Sequence, residues 1–180
     1  MDGDDQAFPA LMAAYRRPVY SYLVRYGVPD ADRDDIFQTI FLKIHAAADS
    51  YDASQPLAPW LFTIVANTVR NHTRGGASHL RVVADDDPPD APDPTPSPER
   101  VAEARQTLAH VEVLLRRLPI AQREVLLLAS VAGMPQQAVA EALELPLNTV
   151  KTHLRRARLA LVAGLARHNA PEACAGETDD

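Results

Sequence analysis

Residues 118–161 read LPIAQREVLLLASVAGMPQQAVAEALELPLNTVKTHLRRARLAL. The pattern is three amphipathic helices separated by short breaks, the last of them basic. That is the layout of a helix-turn-helix, whose second helix enters a DNA groove. In the last segment Leu147, Val150, Leu154, Ala157, Leu161 and Leu165 recur at helical spacing and define an inward stripe. Asn148, Lys151, Thr152, Arg155, Arg156 and Arg158 fall mostly off that stripe. Arg and Lys pair with phosphates or guanine edges, and Asn and Thr read base edges.

The two preceding helices fit the same layout. Gln136 to Leu143 is short, with Val139 and Leu143 on one face and the small Ala140 beside them, which lets a crossing helix approach closely. Its turn is Glu144-Leu145-Pro146, and proline suits the opening of the next helix. The scaffold helix, expected over 122–132, is nearly continuous in apolar residues from Val125 to Leu128, and Gly133 stands where a C-terminal cap belongs. A helical core domain with a solvated basic face is the plainer interpretation. Phase, turn and charge together favour DNA binding.

The formal net charge of −6 looks wrong for a DNA-binding chain until it is divided. Residues 1–83 carry −1, residues 84–99 carry −6, residues 100–168 carry +5 and residues 169–180 carry −4. The positive charge therefore sits on the segment that holds the helix-turn-helix.

From the N-terminus, Phe8, Leu11, Met12, Tyr15, Val19, Tyr22, Leu23 and Tyr26 predict a first helix over 5–26, which Pro18 should bend or deprive of a hydrogen bond. Gly27-Val28-Pro29 is a break, and Asp30 or Asp32 is expected to cap the second helix, 32–48. Ile36, Phe37, Ile40, Phe41 and Ile44 form its apolar stripe. Asp35, Gln38, Thr39 and Leu42 lie on another face, where Leu42 is either an ordinary exposed leucine or the apolar centre of a partner-binding surface. After a turn at 51–56, a third helix is expected over 57–74. Leu61, Ile64, Val65, Thr68 and Val69 face inward, Trp60 packs near its start, and Asn67, Arg70, Asn71, His72 and Arg74 form a polar, basic remainder.

Residues 84–98, ADDDPPDAPDPTPSP, are acidic and proline-rich and hold no large apolar residue, so they predict an extended linker. Another helix begins near Glu99, with Val101, Leu108, Val111, Leu114, Leu115 and Leu118 as its apolar set. The expected organisation is all-α: a helical domain over 5–76, a flexible linker over 77–98, a second helical domain over 99–168 and a disordered acidic tail over 169–180.

Other chemistry is not apparent. There is no glycine-rich phosphate loop, and the six His and single Cys174 show no ligand spacing, so no metal or cofactor is expected. Asp85-Asp86-Asp87 reads as a solvated charge run. No nucleophile-base set is visible, and the chain is not expected to be an enzyme. No apolar run is long enough to span a bilayer, the first ten residues do not look like an export signal, and one cysteine fits a reducing compartment, so a cytoplasmic protein without membrane insertion is expected.

Two blocks resemble the bacterial RNA polymerase sigma factors, specifically the extracytoplasmic-function group. Residues 34–74, DDIFQTIFLKIHAAADSYDASQPLAPWLFTIVANTVRNHTR, look like sigma region two, and residues 118–161 look like sigma region four. The resemblance implies a subunit that binds core RNA polymerase and directs promoter-specific initiation. Asp35, Gln38, Thr39 and Leu42 would dock on the polymerase clamp. Asn67, Arg70 and Asn71 would lie near the melted minus-ten strand, where bases are read after leaving the stack. Asn148, Lys151, Thr152, Arg155, Arg156 and Arg158 would meet the minus-thirty-five duplex, the linker would thread towards the polymerase cleft, and an anti-sigma protein is a further expected partner.

The chain departs from the family pattern at Thr39, where Glu is usual, at Glu144, where Gly is common in the turn, and at Met134-Pro135-Gln136, which replaces a polar helix start. If the Glu144 position needs φ > 0, the side chain carries a steric cost there. The alternatives are a sigma mimic that sequesters an anti-sigma protein without touching DNA, and a helix-turn-helix repressor. The bases at 151, 155, 156 and 158 argue against the first. The second leaves residues 34–74 unexplained and lacks a dimerisation element.

Overall fold

The computed structural model describes residues 4–75 and 98–169, with the side chains of 6–73 and 106–167. The expected linker and tail, with His79, the Asp85–Asp87 run and Cys174, lie outside the described residues, apart from Pro98 and Asn169 at the ends of helices. Every regular element among those residues is helical: α1 Asp4–Tyr26, α2 Asp30–Ala47, a 3-10 turn Ala48–Ser50, α3 Leu57–Gly75, α4 Pro98–Arg117, α5 Ile120–Ser130, α6 Gln136–Leu143 and α7 Leu147–Asn169. The helix boundaries fall within a few residues of the expected ones.

The helix starts have a common physical cause that the expected aspartate caps miss. Pro29, Pro119 and Pro135 occupy the N-cap positions of α2, α5 and α6, with ψ of 144°, 140° and 149°, and no side chain caps any of the three. The proline ring fixes φ, and the extended ψ points its carbonyl forward along the new helix, where Pro119 accepts from the Arg123 N–H and Pro135 from the Val139 N–H, each at 3.0 Å. Pro146 does the same for α7, its carbonyl accepting from the N–H groups of Thr149 and Val150. Asp30 instead lies inside α2 and accepts from Arg33 Nη1 at 2.8 Å, while Arg33 Nε donates to the Val28 carbonyl. α1 continues through Pro9 and Pro18, each of which lacks the N–H of a normal helical residue.

Helices α1, α2 and α3 form the first unit around Val19, Tyr22, Leu23, Ile36, Ile40, Ile44, Leu61, Val65 and Val69. Phe62, one residue from the expected inward set, is fully buried, whereas Ile64 is half-buried and Trp60 lies against the Tyr51 ring at 5.1 Å. Helices α4 to α7 form the second unit around Leu114, Leu115, Val125, Leu128, Val139, Leu143, Val150 and Leu154. Leu108, one of the apolar set that marks α4, is exposed. Gly164 on α7 meets Leu114 of α4 so closely that a Cβ would lie 2.4 Å from Leu114 Cδ2.

The two units pack on each other: α1 rests against α4 and α5, and α3 rests against α5 and α6. Arg123 on α5 donates from Nη1 to the Tyr26 carbonyl at the end of α1, at 2.6 Å. Arg70 on α3 donates from Nε and Nη2 to Glu124 Oε1 at 3.2 and 3.1 Å. One continuous apolar core therefore runs through both units.

Candidate nucleic-acid and polymerase interfaces

The recognition helix is built by the α6–α7 turn. The Glu144 N–H bonds the Ala140 and Glu141 carbonyls, and the Leu145 N–H donates to Ala140 at 2.9 Å, which is a Schellman closure. That closure needs a left-handed residue, and Glu144 supplies it at φ 54°, ψ 41°, the only non-glycine with positive φ among the described residues. The turn thus keeps the geometry that glycine would give, with the steric cost carried by Glu144. On α7 Val150, Leu154 and Ala157 are buried, and Leu147, Leu161 and Leu165 are half-buried. Asn148, Lys151, Thr152, Arg155, Arg156 and Arg158 are all exposed. Steps of three and four bring Asn148, Lys151, Thr152, Arg155 and Arg158 onto one stripe, flanked by Arg156. Thr152 Oγ1 donates to the Asn148 carbonyl at 2.8 Å, which leaves its methyl group facing outward for apolar contact.

The face of α2 is equally open. Asp35, Gln38 and Thr39 are exposed and Leu42 is 71% exposed, while Ile36, Ile40 and Ile44 on the opposite side are sealed. Thr39 Oγ1 bonds the Asp35 carbonyl at 2.8 Å, so its outward contribution is chiefly a methyl group.

The α3 residues divide. Asn67 and Asn71 are exposed, whereas Arg70 is held against Glu124. Asn67 lines an open concavity of about 370 Å³ with Lys43, Ala46, Ala47, Ile64 and Thr68. Lys43 Nζ reaches Thr68 Oγ1 at 3.3 Å on its wall. Sequence reasoning missed Lys43; the signal available was the pair Ala46-Ala47, whose small side chains line the concavity at the end of α2. Beyond it the loop is tied down: Tyr51 Oη donates to the Gln55 carbonyl at 2.6 Å and Asp52 Oδ1 accepts from the Ser54 N–H at 2.9 Å. The Ser54 hydrogen bonds lower the Asp52 pKa.

Arg123 and Glu124 were also missed. Glu124 is the only acid between Glu112 and Glu141, and a lone carboxylate in a buried helix needs a cation. Around it, burial raises the pKa of Tyr22 and Tyr26, reinforced by the Glu124 charge. Arg123 is lowered, first by burial.

His72 is exposed, with Nε2 3.5 Å from Asp32 Oδ2. Among the described residues no group of three His, Cys, Asp or Glu is placed to hold a metal, and no helix is long and apolar enough to cross a membrane.

A two-unit helical protein with a helix-turn-helix and a free basic recognition face is the class that fold and site define. The sigma-70 region 2 family matches residues 11–78, and the sigma-70 region 4 family matches residues 109–161. The RNA polymerase sigma factor NccH of Alcaligenes xylosoxydans is 34% identical, over 89% of this chain and 88% of that protein. The ECF RNA polymerase sigma-E factor of Escherichia coli is 27% identical, over 88% of this chain and 86% of that protein. Among solved structures, CnrH in complex with the cytosolic domain of CnrY matches with a TM-score of 0.64 and 28% identity, over 93% of this chain and 92% of that one. The sigma factor RpoE from Bartonella quintana, in complex with the anti-sigma factor NepR, shares the fold at a TM-score of 0.66. This chain belongs to the sigma-70 family of RNA polymerase sigma factors, in its extracytoplasmic-function group.

Proposed function

We propose that this sigma factor binds core RNA polymerase through Asp35, Gln38, Thr39 and Leu42, and directs initiation by reading promoter DNA with both units. The observation that carries the reading is the α7 face. All six expected DNA-facing residues are exposed there, over a helix whose opposite side is packed into the α5–α6 scaffold. Arg155, Arg156, Arg158 and Lys151 supply charge to a duplex, and Asn148 and the Thr152 methyl supply base-edge contacts. On the other unit, Asn67, Asn71 and the concavity beside Lys43 suit an unstacked base with its phosphate close by. The residues 5–76 and 99–168 act as the region-two and region-four domains, and 77–98 as the connection between them.

The protein works as a specificity subunit with no catalysis of its own, in the cytoplasm where the DNA is. An anti-sigma protein holds it in reserve; the CnrY and NepR complexes of its structural neighbours support that partner. The test is reconstitution. The purified protein should co-elute with core polymerase and start transcription from a specific promoter that core polymerase alone ignores. Tight binding to an anti-sigma protein without any complex with core polymerase would support the mimic instead.

A further inference from the structure

The outward face of α7 does not end with the basic stripe. Leu159, Val162, Ala163 and Ala166 follow Arg155 and Arg158 at helical steps, so they continue the same face towards the end of the helix. Leu159 is 57% exposed and Val162 is 64% exposed; among the large apolar side chains of the described residues only Leu42 is more open. The α7 sequence contains no acid, and none of Lys151, Arg155, Arg156 and Arg158 has a carboxylate partner among the described residues. The face therefore has an order along it, first cationic and then apolar.

Residues 170–180, APEACAGETDD, follow α7 directly and carry the complementary order. Pro171 stands where a helix does not continue. Ala173-Cys174-Ala175 come first, and Glu177, Asp179 and Asp180 come last.

We propose that residues 170–180 fold back along α7 and occupy its outward face in competition with duplex DNA. This rests on the reading of that face as the duplex contact. Lengths set the register. An extended chain advances about 3.3 Å per residue and a helix about 1.5 Å, so each residue of the segment passes about two residues of α7. Counted back from Pro171, Cys174 comes level with Val162 and Ala163, Glu177 with Arg158, and Asp179 and Asp180 with the turn from Lys151 to Arg155. Small apolar residues then meet the bare apolar turns, and carboxylates meet the cations. The acidic stretch 84–99 carries more charge, but it lacks this order and leads into α4. Residues 170–180 are joined to the very helix they cover, which raises their effective concentration there. Exposed ion pairs are individually weak and screened by salt, so the cover is one that a promoter displaces. Non-specific duplex binding draws on the same cations, so the free protein is held off bulk DNA. The added contacts of a polymerase complex supply what displaces the cover.

The test uses the full chain with Glu172→Gln, Glu177→Gln, Asp179→Asn and Asp180→Asn together, all outside the described helices. Affinity for a fluorescent mixed-sequence duplex should rise about tenfold at low salt, the gain expected when the parent's face is covered about nine-tenths of the time. The gain should vanish as salt rises, so the neutral variant should show the steeper salt slope. Position is read separately. With Ala163→Cys, diamide should join that position to Cys174 within one chain, and duplex DNA should slow the reaction. Ala13→Cys, at an exposed position of α1, should react far more slowly.

Unchanged duplex affinity in the neutral variant, or a disulfide no faster at position 163 than at position 13, overturns the proposal. The same gain from neutralising Asp85, Asp86, Asp87, Asp90 and Asp93 instead would make the linker the occupant, and a disulfide between two chains would make it a second copy; either result also overturns it. Arg155→Ala added to the neutral variant separates the proposal from the reading beneath it. If that change leaves duplex binding untouched, the reading of α7 as the duplex contact fails. If it abolishes the binding while the disulfide never forms, only the fold-back fails.

Discussion

Arg123 reaches the carbonyl of Tyr26, a residue 97 positions earlier, at 2.6 Å. The same guanidinium donates to the carbonyls of Leu115 at 2.8 Å and Leu118 at 3.1 Å, and to that of Arg116. These carbonyls lie at the end of α4, where the helix runs out of N–H donors, and the Leu115 carbonyl also accepts from the Leu118 N–H at 3.1 Å. One planar, five-donor group thus finishes a helix and ties the two units. Arg123→Ala should lower unfolding stability by about 3 kcal/mol, since several buried acceptors lose their donor together. Arg123→Lys should recover little, because one ammonium cannot span that fork. Urea denaturation of the three proteins checks both statements.

Gly164 and Leu114 set the distance between α7 and α4. A Cβ at Gly164 would stand 2.4 Å from Leu114 Cδ2, 2.7 Å from Cδ1 and 3.1 Å from Cγ. Alanine is the better helix former by about 1 kcal/mol, but overpacking costs about 1–3 kcal/mol. Overpacking wins because Leu114 is itself buried and its whole branched end is in the way. Gly164→Ala should therefore destabilise by about 1 kcal/mol in the parent. In a Leu114→Ala background the same change should stabilise, and thermal unfolding of the four proteins would show this reversal of sign.

Glu144 holds the left-handed turn at φ 54° without glycine's freedom. Its carboxylate also sits at the C-terminal end of α6, where the helix dipole disfavours negative charge. Glu144→Gly should raise stability by about 0.5–1 kcal/mol, the relief of strain exceeding glycine's extra unfolded-state entropy. Glu144→Ala should gain less, because it removes the charge and keeps the strain. Denaturation midpoints order the three proteins.

The α7 stripe was legible because one side of that helix packs and the other does not, and apolar spacing reports such asymmetry directly. The same held for α2, where Ile36, Ile40 and Ile44 are sealed and Leu42 stands free. The apolar set of α4 marks the helix but not the extent of its contact: Val111, Leu114, Leu115 and Leu118 pack, while Leu108 is exposed, and spacing alone does not say where such a contact stops. Residue type points to Asp30 or Asp32 as the cap, but Pro29 in front of them sets the entry geometry, which frees the Asp30 carboxylate for Arg33. The contact between the units was not legible at all. Arg70 and Glu124 lie in different blocks, and nothing in either block's periodicity brings them together.

The basic stripe of α7 makes a quantitative demand. Lys151→Ala and Arg155→Ala should each weaken promoter binding and leave polymerase binding intact. If the lost contact is to a phosphate, the slope of log affinity against log salt should fall by about 0.9. If it is to a base edge, discrimination of about 1–3 kcal/mol should vanish at one promoter position with the slope unchanged. Salt titrations on matched and scrambled duplexes separate the two.

The central claim is that the exposed face of α2 joins this protein to core RNA polymerase. Leu42→Arg alters the centre of that face without touching the sealed stripe behind it, so the fold should persist. The deciding measurement is co-elution of parent and Leu42→Arg proteins with purified core enzyme at micromolar concentration. The parent should form a stoichiometric complex that transcribes from its promoter, and Leu42→Arg should elute alone with its helical circular-dichroism signal intact. A parent that never joins the core enzyme, or a Leu42→Arg protein that joins it as well as the parent does, would contradict the account.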